Sequence, residues 1–139
     1  MRAVLDTNVL VSALISPSGT PAAIYDGWEE GKFTLLTCKE FLEEVRATLQ
    51  TRKIGALIRP HKAGRLINQI RKLAEDAGPL PLVQRSPDPA DDFLLAMSEA
   101  GKADYLVTGD KSGLLALGRH KARRIISARS FAATLARIR

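Results

Sequence analysis

The chain opens with the stretch RAVLD (residues 2–6), a short apolar run that ends at an acid. The stretch YLVTGD (residues 105–110) has the same order, an apolar run followed closely by a carboxylate. Short apolar runs bounded by turn-forming residues are typical of buried strands. We therefore predict that residues 2–5 and 105–107 form strands of one sheet, with Asp6 and Asp110 just beyond their ends.

Helical and extended patterns alternate along the rest of the chain. The predicted strands are residues 2–5, 33–37, 80–83, 105–107 and 124–126. The predicted helices are residues 8–14, 21–30, 40–50, 60–76, 90–100, 112–117 and 128–138, with 51–59 a basic connection of uncertain structure. Strands that alternate with helices form parallel sheets covered on both faces. The fold class is therefore α/β, a three-layer α/β/α domain with a five-stranded parallel sheet, and Pro81 indicates an edge position for the third strand.

Length and composition exclude several classes of protein. The chain has 139 residues, of which 45% are hydrophobic and 26% charged, so we expect one globular domain over residues 1–139. No apolar run approaches the roughly 20 residues that span a bilayer. The one cysteine, Cys38, excludes a disulfide framework and favours the cytoplasm. The net charge of +6 suggests an anionic partner such as nucleic acid, although a basic surface without such a partner remains open.

Acidic residues follow four predicted strands. They are Asp6 after the first, Glu40, Glu43 and Glu44 after the second, Asp88, Asp91 and Asp92 after the third, and Asp110 after the fourth. Ligands of open parallel sheets bind beyond the carboxyl ends of the strands. Because carboxylates repel one another, a divalent cation best explains such a group. Oxygen ligands without Cys or His favour Mg²⁺ or Mn²⁺ over zinc.

Each acid also has a purely structural explanation. The aspartates are suited to helix caps or turns, and the glutamates to a solvated helix surface. Among the glutamates, Glu44 lies nearest the border of the apolar face that contains Phe41 and Val45, where a residue that lines a site belongs. Spacing alone does not decide between Asp91 and Asp92.

Four segments resemble the PIN-domain ribonucleases, and together they cover almost the whole chain. They are VLDTNVL (residues 4–10), DPADDFLLA (88–96), ADYLVTGDK (103–111) and RIISARSF (124–131). The likeness is nearest to the VapC-like group, the toxin components of toxin–antitoxin pairs. It implies an endoribonuclease that depends on Mg²⁺ or Mn²⁺ and hydrolyses RNA phosphodiester bonds. It also implies a cognate antitoxin protein and a homodimer.

The resemblance further implies a role for individual residues. The catalytic and metal-binding acids would be Asp6, Glu44, Asp92 and Asp110. The third of these is selected because the family's third acid precedes an alanine, here Ala96, by four positions. Asn8 and Thr108 would support the acids. The candidates for substrate binding are Arg46, Arg52, Lys53 and Lys111.

Two other kinds of protein compete with a nuclease. A phosphoryl-transfer α/β domain also places an aspartate after a parallel strand, but the haloacid-dehalogenase pattern requires a second aspartate at the position of Asn8. A metal-free nucleic-acid-binding module would explain the basic charge but not four acids at one edge.

For a homodimer, the apolar residues of helices 21–30 and 60–76 are the candidate interface.

Overall fold

The computed structural model describes residues 1–138 as a mixed α/β fold. The strands are β1 (Arg2–Leu5), β2 (Thr34–Thr37), β3 (Glu75–Asp76), β4 (Tyr105–Val107), β5 (Arg119–His120) and β6 (Arg123–Ile126). The helices are α1 (Thr7–Ile15), α2 (Thr20–Glu29), α3 (Lys39–Leu49), α4 (Arg52–Gly55), α5 (Pro60–Leu73), α6 (Asp92–Ala100), α7 (Leu114–Leu117) and α8 (Ala128–Ala136). A 3-10 turn at Pro89–Asp91 leads into α6.

The strands form one six-stranded sheet in the order β3-β2-β1-β4-β6-β5. Every neighbouring pair is parallel except β5 and β6. β1 and β4 lie at the centre, in register from Ala3 beside Tyr105 to Leu5 beside Val107. The side chains of residues 3–5 are fully buried, as expected for a strand covered on both faces. The carboxyl ends of β1 and β4 are therefore side by side.

The helices bury their apolar faces against this sheet and against one another. α6 packs on β1, β2 and β4, while α2 packs between α1 and α8. On α8, Phe131 makes edge-on contact with Phe33 and a tilted contact with Tyr105 of β4. Cys38, which caps the N-terminus of α3, is buried in the same core.

The predicted α/β class with a mostly parallel sheet is confirmed, but the strand list needs two corrections. Residues 80–83 do not form the third strand, since Leu82 is 87% exposed and Pro81 has no amide hydrogen to donate. The third strand is β3, which pairs with Leu36 and Thr37 of β2, so α5 ends at Leu73 and not at residue 76. The second correction is β5, an unpredicted antiparallel strand beside β6.

The uncertain connection 51–59 contains the short helix α4, capped by the Thr51 hydroxyl, which accepts a hydrogen bond from the Ile54 amide. Within residues 1–138, no helix is long and apolar enough to cross a membrane.

Candidate active site

A pocket of about 500 Å³ lies at the carboxyl edge of the sheet. It is lined by Asp6, Thr7, Asn8, Glu44, Thr48, Asp91, Gly109 and Asp110. Four of these residues are acids, and each comes from a different segment of the chain. None of the lining residues is a lysine or an arginine, so no basic side chain in the lining offsets the acids.

Asp6 and Asp110 are held by the central strands and by one shared hydroxyl. The Asp6 amide donates a hydrogen bond to the Val107 carbonyl, which extends the pairing of β1 and β4 by one residue. The buried Thr108 hydroxyl donates to Asp6 Oδ2 (2.9 Å) and accepts from the Asp110 amide (3.2 Å). Thr108 therefore fixes both acids with a single oxygen atom. Asp6 also caps α1, since its Oδ1 accepts a hydrogen bond from the Asn8 amide.

Glu44 enters the pocket from α3, one turn before Thr48. Its carboxylate accepts a hydrogen bond from the hydroxyl of Thr7, a side chain that is 3% exposed. Its neighbour on α3, Glu43, is exposed to solvent. The position of Glu44 thus agrees with the prediction from the apolar face of the helix.

The structure brings Asp91 to the pocket and leaves Asp92 outside its lining. Asp92 Oδ1 accepts hydrogen bonds from the backbone amides of Arg85 (3.1 Å) and Ser86 (2.7 Å), so this carboxylate anchors the loop before α6. Successive residues at a helix start point about 100° apart, so only one of the two can face the pocket. The geometry therefore favours Asp91 over the predicted Asp92 as the third acid of the pocket.

The electrostatic environment of Asp91 identifies it as a member of the acidic group. Burial is the largest cause that raises the pKa of its carboxyl to about 6, followed by the negative charges of Asp6, Asp88, Asp110 and Glu44 in that order. A carboxyl close to cations would instead have a lowered pKa. Asp88 itself is a capping residue, as the structural alternative proposed, because its Oδ1 accepts a hydrogen bond from the Ala90 amide (3.0 Å).

The donor chemistry of this pocket fits a divalent cation. Its ligands would all be oxygens, which suits Mg²⁺ or Mn²⁺, and the neighbouring carboxylates add to the burial that raises the pKa of Asp91. The carboxylates lie farther apart than the ligands of an occupied metal site. Within residues 1–138, no three His, Cys, Asp or Glu side chains are grouped closely enough to hold an ion as they stand.

The predicted substrate-binding residues lie outside the pocket lining. Arg46 lines a separate groove between α3 and α5, together with Arg71. Arg52 and Lys53 are exposed on α4, and Lys111 is exposed directly after Asp110. Of these four, Lys111 is next in sequence to a pocket residue.

Sequence reasoning overlooked two polar residues of this pocket, Thr7 and Thr48. Thr48 follows Glu44 by four positions, a spacing that places two side chains on one helix face. That spacing was a usable signal. The Thr7 contact had no such signal, because it joins two elements that are 37 residues apart.

Comparison with known proteins supports the fold and identifies the family. A solved structure that resembles the chain is the crystal structure of VapBC2 from Rickettsia felis bound to a DNA fragment from their promoter. The identity is 14%, the match covers 91% of this chain and 98% of that one, and the TM-score is 0.54, which shows a shared fold. No curated protein sequence matches the chain. The sequence profile of the PIN domain, however, matches residues 2–112, which include all four pocket acids. The chain belongs to the PIN domain family.

Proposed function

We propose that the protein is an endoribonuclease that depends on Mg²⁺ or Mn²⁺ and hydrolyses RNA phosphodiester bonds. One observation carries the proposal: four carboxylates from separate segments line one pocket without a basic residue among them. PIN domains are nucleases that generally use divalent metal ions. The net charge of +6 supports a polyanionic substrate.

In this mechanism Asp6, Asp91 and Asp110 would hold the metal, and Glu44 would hold a second ion or orient the attacking water. A bound divalent cation lowers the pKa of its water and offsets charge that builds up on the phosphate. The Thr108 hydroxyl links the Asp6 carboxylate to the backbone amide of Asp110, and the Thr7 hydroxyl holds the Glu44 carboxylate. Asn8 lines the pocket beside them and contributes its backbone amide to Asp6.

We also propose the biological setting. The likeness to VapBC2 supports a role as the toxin of a type II toxin–antitoxin pair with a cognate antitoxin protein. For this role we also propose a homodimer and a cytoplasmic location. We propose a single PIN domain over residues 1–139. In support, β6 lies beyond the matched residues 2–112 and still pairs with β4 in the same sheet.

The test is cleavage of mixed single-stranded and structured RNA in Mg²⁺, in Mn²⁺ and in EDTA. Asp6→Asn is the informative variant, because asparagine is an equally good helix cap and the fold of α1 should be kept. Glu44→Gln, with the exposed Glu43→Gln as its matched control, tests the helix face. We expect metal-dependent cleavage that is lost in Asp6→Asn and Glu44→Gln and kept in Glu43→Gln.

Other outcomes point to the competing functions. Intact RNA binding without cleavage in any metal would favour a metal-free binding module. Hydrolysis of a small phosphate ester without RNA cleavage would favour a phosphoryl-transfer domain. Either result would contradict the ribonuclease.

A further inference from the structure

Gly113 lies directly against the carboxylate of Asp110. Its amide donates a hydrogen bond to Asp110 Oδ1 (3.1 Å). A Cβ atom at position 113 would lie 1.9 Å from Asp110 Oδ2 and 2.6 Å from its Cγ. Both distances are far below van der Waals contact, so the carboxylate occupies the space that any side chain at this position would need.

The main chain of Asp110 is held on both sides. Its amide donates to the Thr108 hydroxyl (3.2 Å), and its carbonyl accepts from the Leu115 amide (3.0 Å). An added Cβ at position 113 would therefore displace the Asp110 side chain and not its backbone. Rotation about χ1 moves a carboxylate by several ångströms to another staggered position, at little cost in stability for a half-buried side chain.

We propose that Gly113 is a positioning residue for the candidate active site, because its missing side chain keeps the Asp110 carboxylate in the pocket. The placement of Asp110 is a matter of geometry alone. Its importance for metal binding and cleavage rests on the proposed function. Gly113 therefore differs from Gly64 of α5, where an added Cβ meets no atom within 4 Å.

The first measurement is the χ1 rotamer of Asp110 in metal-free protein, from three-bond NMR couplings or a crystal structure of the variant. In Gly113→Ala we expect a rotamer that differs from the wild type. In Gly64→Ala, the matched control, we expect the wild-type rotamer. An unchanged Asp110 rotamer in a folded Gly113→Ala protein would overturn the proposal.

Gly113→Ala needs a safeguard in case it folds poorly. Removal of the carboxylate in the double variant Asp110→Ala/Gly113→Ala relieves the steric conflict. We expect the double variant to melt within about 3 °C of Asp110→Ala. If the double variant remains unfolded while Asp110→Ala folds, the conflict lies elsewhere and the proposal is wrong.

The second measurement is Mn²⁺ binding by calorimetry. We expect Gly113→Ala to weaken binding about tenfold or more, the size typical of a lost supporting residue. Because both changes act on one carboxylate, the double variant should bind no more weakly than Asp110→Ala. Additive losses would contradict the proposal. If the wild type binds no Mn²⁺, the proposed metal site fails, and the Asp110 rotamer still decides the role of Gly113.

Discussion

Two groups of charged side chains in this molecule contrast in how their charge is balanced. The first is the acidic pocket of Asp6, Glu44, Asp91 and Asp110. The second, which we call the His120 network, comprises Arg85, Glu99, His120 and Lys121. In this network Glu99 Oε1 lies 2.9 Å from His120 Nε2 and 3.0 Å from Lys121 Nζ.

One carboxyl in each group has a shifted pKa, and the two pKa values shift in opposite directions. The hydrogen bond from Lys121, helped by the one from His120, lowers the pKa of Glu99. In the acidic pocket, burial and neighbouring carboxylates raise the pKa of Asp91 to about 6. Charge in the His120 network is satisfied within the protein, as a structural role requires. The negative charge in the pocket would be reduced by a bound proton or a bound cation.

The tautomer of His120 follows from its partners. Arg85 Nη1 lies 2.7 Å from His120 Nδ1, and a guanidinium can only donate. Nδ1 is therefore the acceptor, and Nε2 carries the hydrogen that is donated to Glu99. Arg85 also donates to the Arg119 carbonyl, so this network ties the loop before α6 to β5.

The largest expected effect separates the two groups by activity. Asp110→Asn or Asp91→Asn should lower the RNA cleavage rate by about 10³-fold, or roughly 4 kcal/mol in the barrier, because each removes a metal ligand. Glu99→Gln should leave the rate within about threefold of the wild type. The check is single-turnover cleavage in Mn²⁺. If Glu99→Gln lowered the cleavage rate as much as the two pocket variants do, the two groups would not differ in their role in activity.

The next effect is on stability and concerns the His120 network. His120→Ala should lower the free energy of unfolding by about 2–3 kcal/mol, because it removes a buried ring and leaves Arg85 without that hydrogen-bond partner. Lys121→Ala is the matched control. Its side chain is 64% exposed, and such surface ion pairs contribute about 0–1 kcal/mol. Urea denaturation measures both, and comparable losses would show that burial does not set the cost.

The parts of the fold that sequence could predict are those whose pattern is local. β1 and β4 are buried apolar runs, and the following acids had to share one edge once the sheet was parallel. β3 gave no such pattern, since Glu75 and Asp76 are exposed and polar. Charged residues suit an edge strand, and this pairing depends on β2 and not on the propensity of the two residues.

The candidate site divides in the same way. Periodicity in α3 predicted Glu44 because the burial of one helix face is encoded in the helix itself. Asp91 and Asp92 could not be separated, because their directions depend on the 3-10 turn that precedes α6. The amides of Arg85 and Ser86 that hold Asp92 belong to a loop whose path the sequence does not specify.

A smaller effect should reveal how tightly the pocket acids must be held. Thr7→Val keeps the volume of this buried side chain but removes the hydrogen bond to Glu44. We expect cleavage to fall about tenfold, equivalent to roughly 1.4 kcal/mol, while Thr7→Ser retains most of the activity. The measurement is the ratio of the cleavage rates of Thr7→Val and Thr7→Ser. If serine fails to rescue, the methyl group and not the hydroxyl matters.

The smallest effect is a gain in stability that Asp91→Asn should show and Glu99→Gln should not. The Asp91 carboxyl has a pKa of about 6 in the folded protein and 3.8 as its ordinary value. The folded state therefore holds a proton that the unfolded state has already lost between about pH 4 and 6. Stability falls as pH rises through that window.

Asp91→Asn removes this penalty, so at pH 7 in EDTA we expect the variant to be more stable than the wild type. The full pKa shift corresponds to about 3 kcal/mol, and solvent screening of a half-exposed carboxyl reduces the expected gain to about 1 kcal/mol. The difference in unfolding free energy between the two proteins should grow from pH 4 to 6 and then level off. Mn²⁺ should reverse the order, because it stabilises the folded wild type and finds one ligand fewer in the variant. A wild type that stays more stable than Asp91→Asn in EDTA at every pH would mean that the pocket carboxylates are already balanced within the protein, as Glu99 is, and the contrast between the two groups would disappear.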